Sequence, residues 1–190
     1  MIRRVKDFVT LFNAFWYRDF PLSESHKING SRAEWTTHIG NCVRSCADAM
    51  GFFTYFESGI RTDAIIKDNT GNDIAHLEWE WKEPLNDKVN EVQKLYSKKE
   101  TAEFSVLFSY SRIDHHQENL DRIQEQWGNS ANPLLALLVT FIQEKNGRRF
   151  RLLETYHFQN DQRKKIRSQP ALPWEVRGSR WESIKQLQVT

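Results

Sequence analysis

A length of 190 residues suits one domain, and 39% hydrophobic with 13% aromatic residues, including seven Trp and twelve Phe, excludes a chain disordered throughout. A net charge of +2 gives no whole-molecule field that would announce a nucleic-acid partner. No run reaches the roughly 18–20 apolar residues of a membrane span, and the start carrying Arg3, Arg4 and Lys6 is unlike a secretory signal, so a soluble, cytoplasmic protein is expected.

Residues 1–20 read as an amphipathic helix, with Val5, Phe8, Val9, Phe12, Phe15 and Trp16 recurring at helical spacing. Its aromatic face has two readings, a homodimer surface or packing against a sheet. After a polar connector at 23–30, Ser31 caps a second helix through Met50, which ends at Gly51. Cys42 and Cys46 lie one helical turn apart with His38 a turn earlier. With no further ligands at suitable spacing, these are expected to be buried free thiols rather than a metal site.

The period then changes to alternation. Strands are expected at 52–56, 61–67 and 74–82, the last two joined by a turn at 68–73. A helix begins near Pro84 and carries Leu85, Val89, Val92 and Tyr96. A strand at 104–110, a helix at 117–127 and a continuously apolar, buried strand at 134–142 follow. Asn146-Gly147 marks a hairpin into a strand at 149–158. The remainder reads as irregular or helical, with a short helix at 179–187. The order α-α-β-β-β-α-β-α-β-β argues an α/β layered fold around a mixed sheet.

The stretch 74–82 is the most informative. Alternation turns Glu78, Glu80 and Lys82 one way and Leu77, Trp79 and Trp81 the other, setting acids and a lysine side by side. Phosphodiester hydrolysis needs such groups, because the substrate is anionic and water is a weak nucleophile. Mg²⁺ addresses both and is held by one or two carboxylates, while a lysine orients water or neutralises charge. Asp63, across a short hairpin, fits as the second carboxylate.

Asp63 followed by Glu80-Trp81-Lys82 resembles the PD-(D/E)XK nuclease superfamily, over residues 31–110. The resemblance implies a restriction-endonuclease-like αβββαβ core with a mixed central sheet flanked by helices. It also implies Mg²⁺-dependent DNA cleavage (Mn²⁺ substituting), Asp63 and Glu80 as metal ligands and Lys82 as the catalytic lysine. Glu34, near the start of the first core helix, takes the place of a further metal-site glutamate. It also completes an S-x-x-E capping box with Ser31, and both readings stand. Gln93 resembles a glutamine that some members use near the site. Thr62 replaces the family's nominal proline, and the spacing of Gln93 and Tyr96 does not match RecB-like members.

The expected layout is one domain, 1–190. Its parts are an N-terminal helix and connector (1–30), a catalytic core (31–110), a sheet extension (111–158) and a basic C-terminal segment (159–190). From Asn160 onward seven Lys or Arg face three acids, and Arg163, Lys164, Lys165 and Arg167 are expected to contact the phosphate backbone beside the metal site. DNA is the expected partner, with RNA an option. The rival reading is a catalytically inactive nuclease-fold protein that binds nucleic acid or serves as a scaffold.

Overall fold

The computed structural model describes residues 1–18, 20, 31–57, 62–145 and 147–182. The connector at 23–30, the break at Ser58-Gly59 and Asn146 lie outside them. Of the short helix expected at 179–187, the described part is turn, and the rest lies outside.

Helix α1 (Arg3–Arg18) and helix α2 (Arg32–Ala49) come first, followed by β1 (Phe53–Phe56), β2 (Ala64–Lys67) and β3 (Asp73–Glu80). Then follow α3 (Glu91–Ser97), β4 (Phe104–Arg112), α4 (His116–Trp127), β5 (Leu134–Glu144), β6 (Gly147–Gln159) and β7 (Gln162–Pro170). The strands form one seven-stranded sheet in sequence order. β1–β2–β3 and β5–β6–β7 are antiparallel meanders, and the parallel pairs β3–β4 and β4–β5 lie between them. The protein is thus a mixed α/β fold with an open mixed sheet and, among the described residues, four α-helices.

Each parallel pair needs a crossover, and α3 and α4 supply them. Two right-handed crossovers moving the same way put their helices on one face. Accordingly Val92 and Leu95 of α3 pack in one cluster with Leu120, Ile123 and Trp127 of α4. The other face carries α1 and α2. Strand β4 shows the division: Phe104, Val106, Phe108 and Tyr110 point to α1 and α2, while Leu107 points to α3 and α4.

The α1 face that offered a dimer surface is covered within the chain. Phe8, Phe12 and Trp16 are at most 1% exposed, Phe8 edge-on to Phe104, Phe12 tilted against Phe108, and Trp16 stacked on Phe108 and Trp35. The packing alternative is the one the chain adopts, because burying those rings against its own sheet removes their apolar surface from water without a second copy.

The basic segment is also corrected. Residues 162–170 are not irregular or helical but form β7, the edge strand beside β6. Asn160 and Asp161, with φ of 52° and 57°, turn the chain in two residues. Both tolerate the left-handed region that tight hairpins require. Lysines along such an edge discourage pairing with another sheet. No helix among the described residues is long and apolar enough to cross a membrane.

Candidate active site

The site is built at the carboxyl end of β3. In the β2–β3 ladder Ala64 stands opposite Leu77, so Asp63, one residue before β2, stands across from Glu78. A bulge makes this so. Lys67 pairs with Asp73 but Ile66 pairs with Ala75, which leaves Ile74 as the extra residue. Without it Asp63 would face Leu77, on the other side of the sheet.

Asp63 is fixed by its backbone neighbour, its Oδ2 accepting the Trp79 N–H at 2.8 Å. Glu78 is 2% exposed, and its Oε1 has no hydrogen-bond partner among the described residues. Its Oε2 lies 3.9 Å from Lys94 Nζ on α3. That ammonium donates to Glu91 Oε1 at 3.0 Å, while Glu91 Oε2 accepts the Asn90 N–H at 2.9 Å. Just past the end of α3, Lys98 donates to the buried Thr62 hydroxyl beside Asp63. Helix α3 and its C-cap therefore present cations to two acids.

Burial, and then the charge of Asp63, push the Glu78 carboxyl up to about 8, against the pull of Lys94. Asp63 is raised as well, by burial first, with the Trp79 N–H opposing. Two touching carboxyls cannot both ionise in such a place without a compensating cation, so they titrate as a dyad.

The Glu80 carboxylate is used differently. Its Oε1 accepts the Lys82 N–H at 3.0 Å and lies 3.6 Å from Arg32 on α2. The expectation that Glu78, Glu80 and Lys82 share one face fails for a local reason. The strand ends at Glu80, alternation stops there, and Lys82 lies in the following turn. Asp63 is brought together with Glu78, and Glu80 is not among its side-chain partners in the described residues.

Glu34 completes the capping box: its Oε2 accepts the Ser31 N–H at 2.5 Å, and its own N–H donates to Ser31 Oγ at 3.3 Å. Gln93 is exposed on α3, next to Lys94. The basic residues lie far from this site, not beside it. β7 is five strand spacings from β2, roughly 24 Å at about 4.8 Å each. Two of them are already paired, Arg163 with Asp121 at 2.9 Å and Lys165 with Glu154 at 2.7 Å. Arg167 donates to Gln169, and Lys164 is exposed.

Cys42 and Cys46 are buried thiols outside any disulfide, as expected, and burial raises the Cys46 thiol. His116, the first residue of α4, joins a second polar cluster with Ser111, Tyr156 and Glu154. The sequence expectation took Glu80 rather than Glu78 as the carboxylate beside Asp63, and it missed Lys94. The available signal for Lys94 was its place three residues after Glu91 on a short helix crossing over the hairpin.

Among the described residues, no group of three or more His, Cys, Asp or Glu is placed to hold a metal. Two carboxylates are nonetheless enough for Mg²⁺, which keeps several waters. The unpartnered Glu78 Oε1 beside Asp63 is a hard oxygen of the type such an ion takes.

No protein-family model matches the chain, and no curated protein matches it. Among solved structures it aligns with a chain of the "cryoEM structure DrdV-DNA complex" at 11% identity over 96% of this chain and 94% of that one, with a TM-score of 0.29. It also aligns with the YaeQ protein of Xanthomonas axonopodis pv. citri at 11% identity, over 62% and 69% of the two chains, with a TM-score of 0.24. Likeness at this level adds nothing to what the geometry itself supports.

Proposed function

We propose that the chain is a Mg²⁺-dependent endonuclease that hydrolyses phosphodiester bonds in DNA, with Asp63 and Glu78 as the metal-holding pair and Lys94 beside them. The observation that carries this reading is the buried Glu78 carboxyl beside Asp63, one of whose oxygens has no hydrogen-bond partner among the described residues. When bound, the ion would lower the pKa of a water and neutralise charge on the phosphate.

The chain's own groups supply the rest. The Trp79 N–H fixes the aim of Asp63. Against the cost of its burial, the bond to Glu91 and the charge of Glu78 hold Lys94 above its ordinary pKa. Lys94 therefore acts as a standing positive charge rather than a proton acceptor, suited to the charge that builds during phosphoryl transfer. Glu80, at the end of β3, and Lys82, two residues past it, meet the substrate rather than the ion in this reading, and Glu34 serves the helix cap.

The 2% exposure of Glu78 favours a second reading, in which the fold binds nucleic acid without cutting it. Incubating supercoiled plasmid with the full chain in Mg²⁺, Mn²⁺, Ca²⁺ or EDTA separates the two. Nicking in Mg²⁺ and Mn²⁺, lost in EDTA and in Asp63→Asn, is expected. Binding without cleavage of duplex, single strand, four-way junction or RNA in any of these ions would leave the second reading.

A further inference from the structure

Beyond the end of β3 lies a cavity of 280 Å³ lined by Lys82, Glu83, Leu85, Asn86 and Arg148. Arg148 is held rigidly. Its guanidinium carbon sits 4.4 Å from the Phe141 ring centre, 4.5 Å from that of Trp81 and 5.5 Å from that of Tyr110. Its Nη1 donates to the Trp81 carbonyl at 2.8 Å. Among the described residues no carboxylate lies within ion-pair distance of Arg148 or of Lys82.

The one acid in the cavity wall is already engaged. Glu83 Oε1 accepts the Arg112 N–H at 2.7 Å and the Asn119 side-chain amide at 3.0 Å. The cavity thus holds two cations and one carboxylate that bonds to neutral donors, and among the described residues neither cation is in an ion pair; Arg148 is half-buried and surrounded by rings. A half-buried charge left unpaired is costly, and an oxyanion would offset that cost while accepting from a guanidinium fork. Burial lowers the pKa of Arg148, while the charges of Glu83 and Glu80 oppose that shift; Lys82, two residues past Glu80, places the cavity at the end of β3.

We propose that Lys82 and Arg148 form a phosphate subsite that grips an internal phosphodiester of the nucleic-acid strand next to the Asp63–Glu78 dyad. The inference rests on the nuclease reading and names how its substrate is held. Arg148 supplies a fixed fork, Lys82 a mobile point charge, and the Asn86 side chain lies within the same wall.

The test titrates the full chain with a short fluorescent single strand in Ca²⁺ at several salt concentrations, comparing wild type with Lys82→Gln, Arg148→Gln and Arg148→Lys. Each Gln variant should weaken binding roughly tenfold and reduce the log–log salt slope by about 0.7 for the lost phosphate contact. Arg148→Lys should keep the slope, because its charge remains, which separates the contact from any disturbance of the rings.

Unchanged slopes in both Gln variants overturn the proposal. So does an equal loss in Arg148→Lys, or a dependence on Arg148 that exists only when the strand carries a 5′-phosphate. Plasmid cleavage is read separately. Cleavage with unaltered slopes removes the subsite and keeps the nuclease; falling slopes without cleavage keep the subsite and remove the nuclease.

Discussion

Asp63 and Glu78 face each other across the β2–β3 ladder with their carboxyls in mutual reach, and one buried Glu78 oxygen has no hydrogen-bond partner among the described residues. This has a stability consequence whose sign is fixed. The folded Glu78 carboxyl sits at about 8, above its ordinary 4.5, so the native state binds more protons than the unfolded one between those values. Stability must therefore fall as pH rises through that window.

Glu78→Gln should remove that slope and raise the thermal midpoint at pH 8.5 by several degrees, on the order of 2 kcal/mol. A divalent ion that binds only the native site should likewise raise the midpoint of the wild type at that pH, and not that of Glu78→Gln. Melting curves at pH 5 and 8.5, with and without Mg²⁺, read both effects.

The capping box makes a separable prediction. Ser31→Ala should cost about 1 kcal/mol through loss of the cap. Glu34→Gln should leave both stability and cleavage within about twofold of wild type, since Gln also serves in a capping box. A loss of cleavage near a hundredfold in Glu34→Gln, with an unchanged melt, would move Glu34 into the site.

At the far end of the sheet, Glu154 behaves in the opposite sense to Glu78. Burial alone would raise it, but bonds from His116, Lys165 and Tyr156 outweigh that and bring it to about 2. Its contribution is fully present above the ordinary value of 4.5 and is lost as pH falls toward 2. With a side chain 6% exposed, that contribution is on the order of 3 kcal/mol. Glu154→Gln should therefore lower stability at pH 7 and flatten the acid limb between about pH 5 and 2, measured by urea unfolding at a series of pH values.

Much of the architecture was legible because period and burial agree. The unbroken apolar run of β5 and the stripe of α2 each dictate one element. What was not legible turned on single residues. The bulge at Ile74 decides whether Asp63 meets Glu78 or Leu77, and no periodicity signals it. The end of β3 at Glu80 removes Lys82 from the shared face, a matter of where pairing stops rather than of pattern. β7 was hidden because an edge strand carries charges where an interior strand would carry apolar residues, so Arg163 to Arg167 read as a tail. Lys94 reaches Glu78 only through the crossover of α3, a long-range placement that local spacing does not specify.

The most direct test of the dyad is to compare Glu78→Gln and Glu80→Gln in single-turnover cleavage of supercoiled plasmid with Mg²⁺. The account predicts a loss of at least about a hundredfold in Glu78→Gln, as for removal of a group that stabilises transition-state charge, and a much smaller loss in Glu80→Gln. Wild-type rates in a folded Glu78→Gln, with cleavage abolished instead in Glu80→Gln, would contradict it.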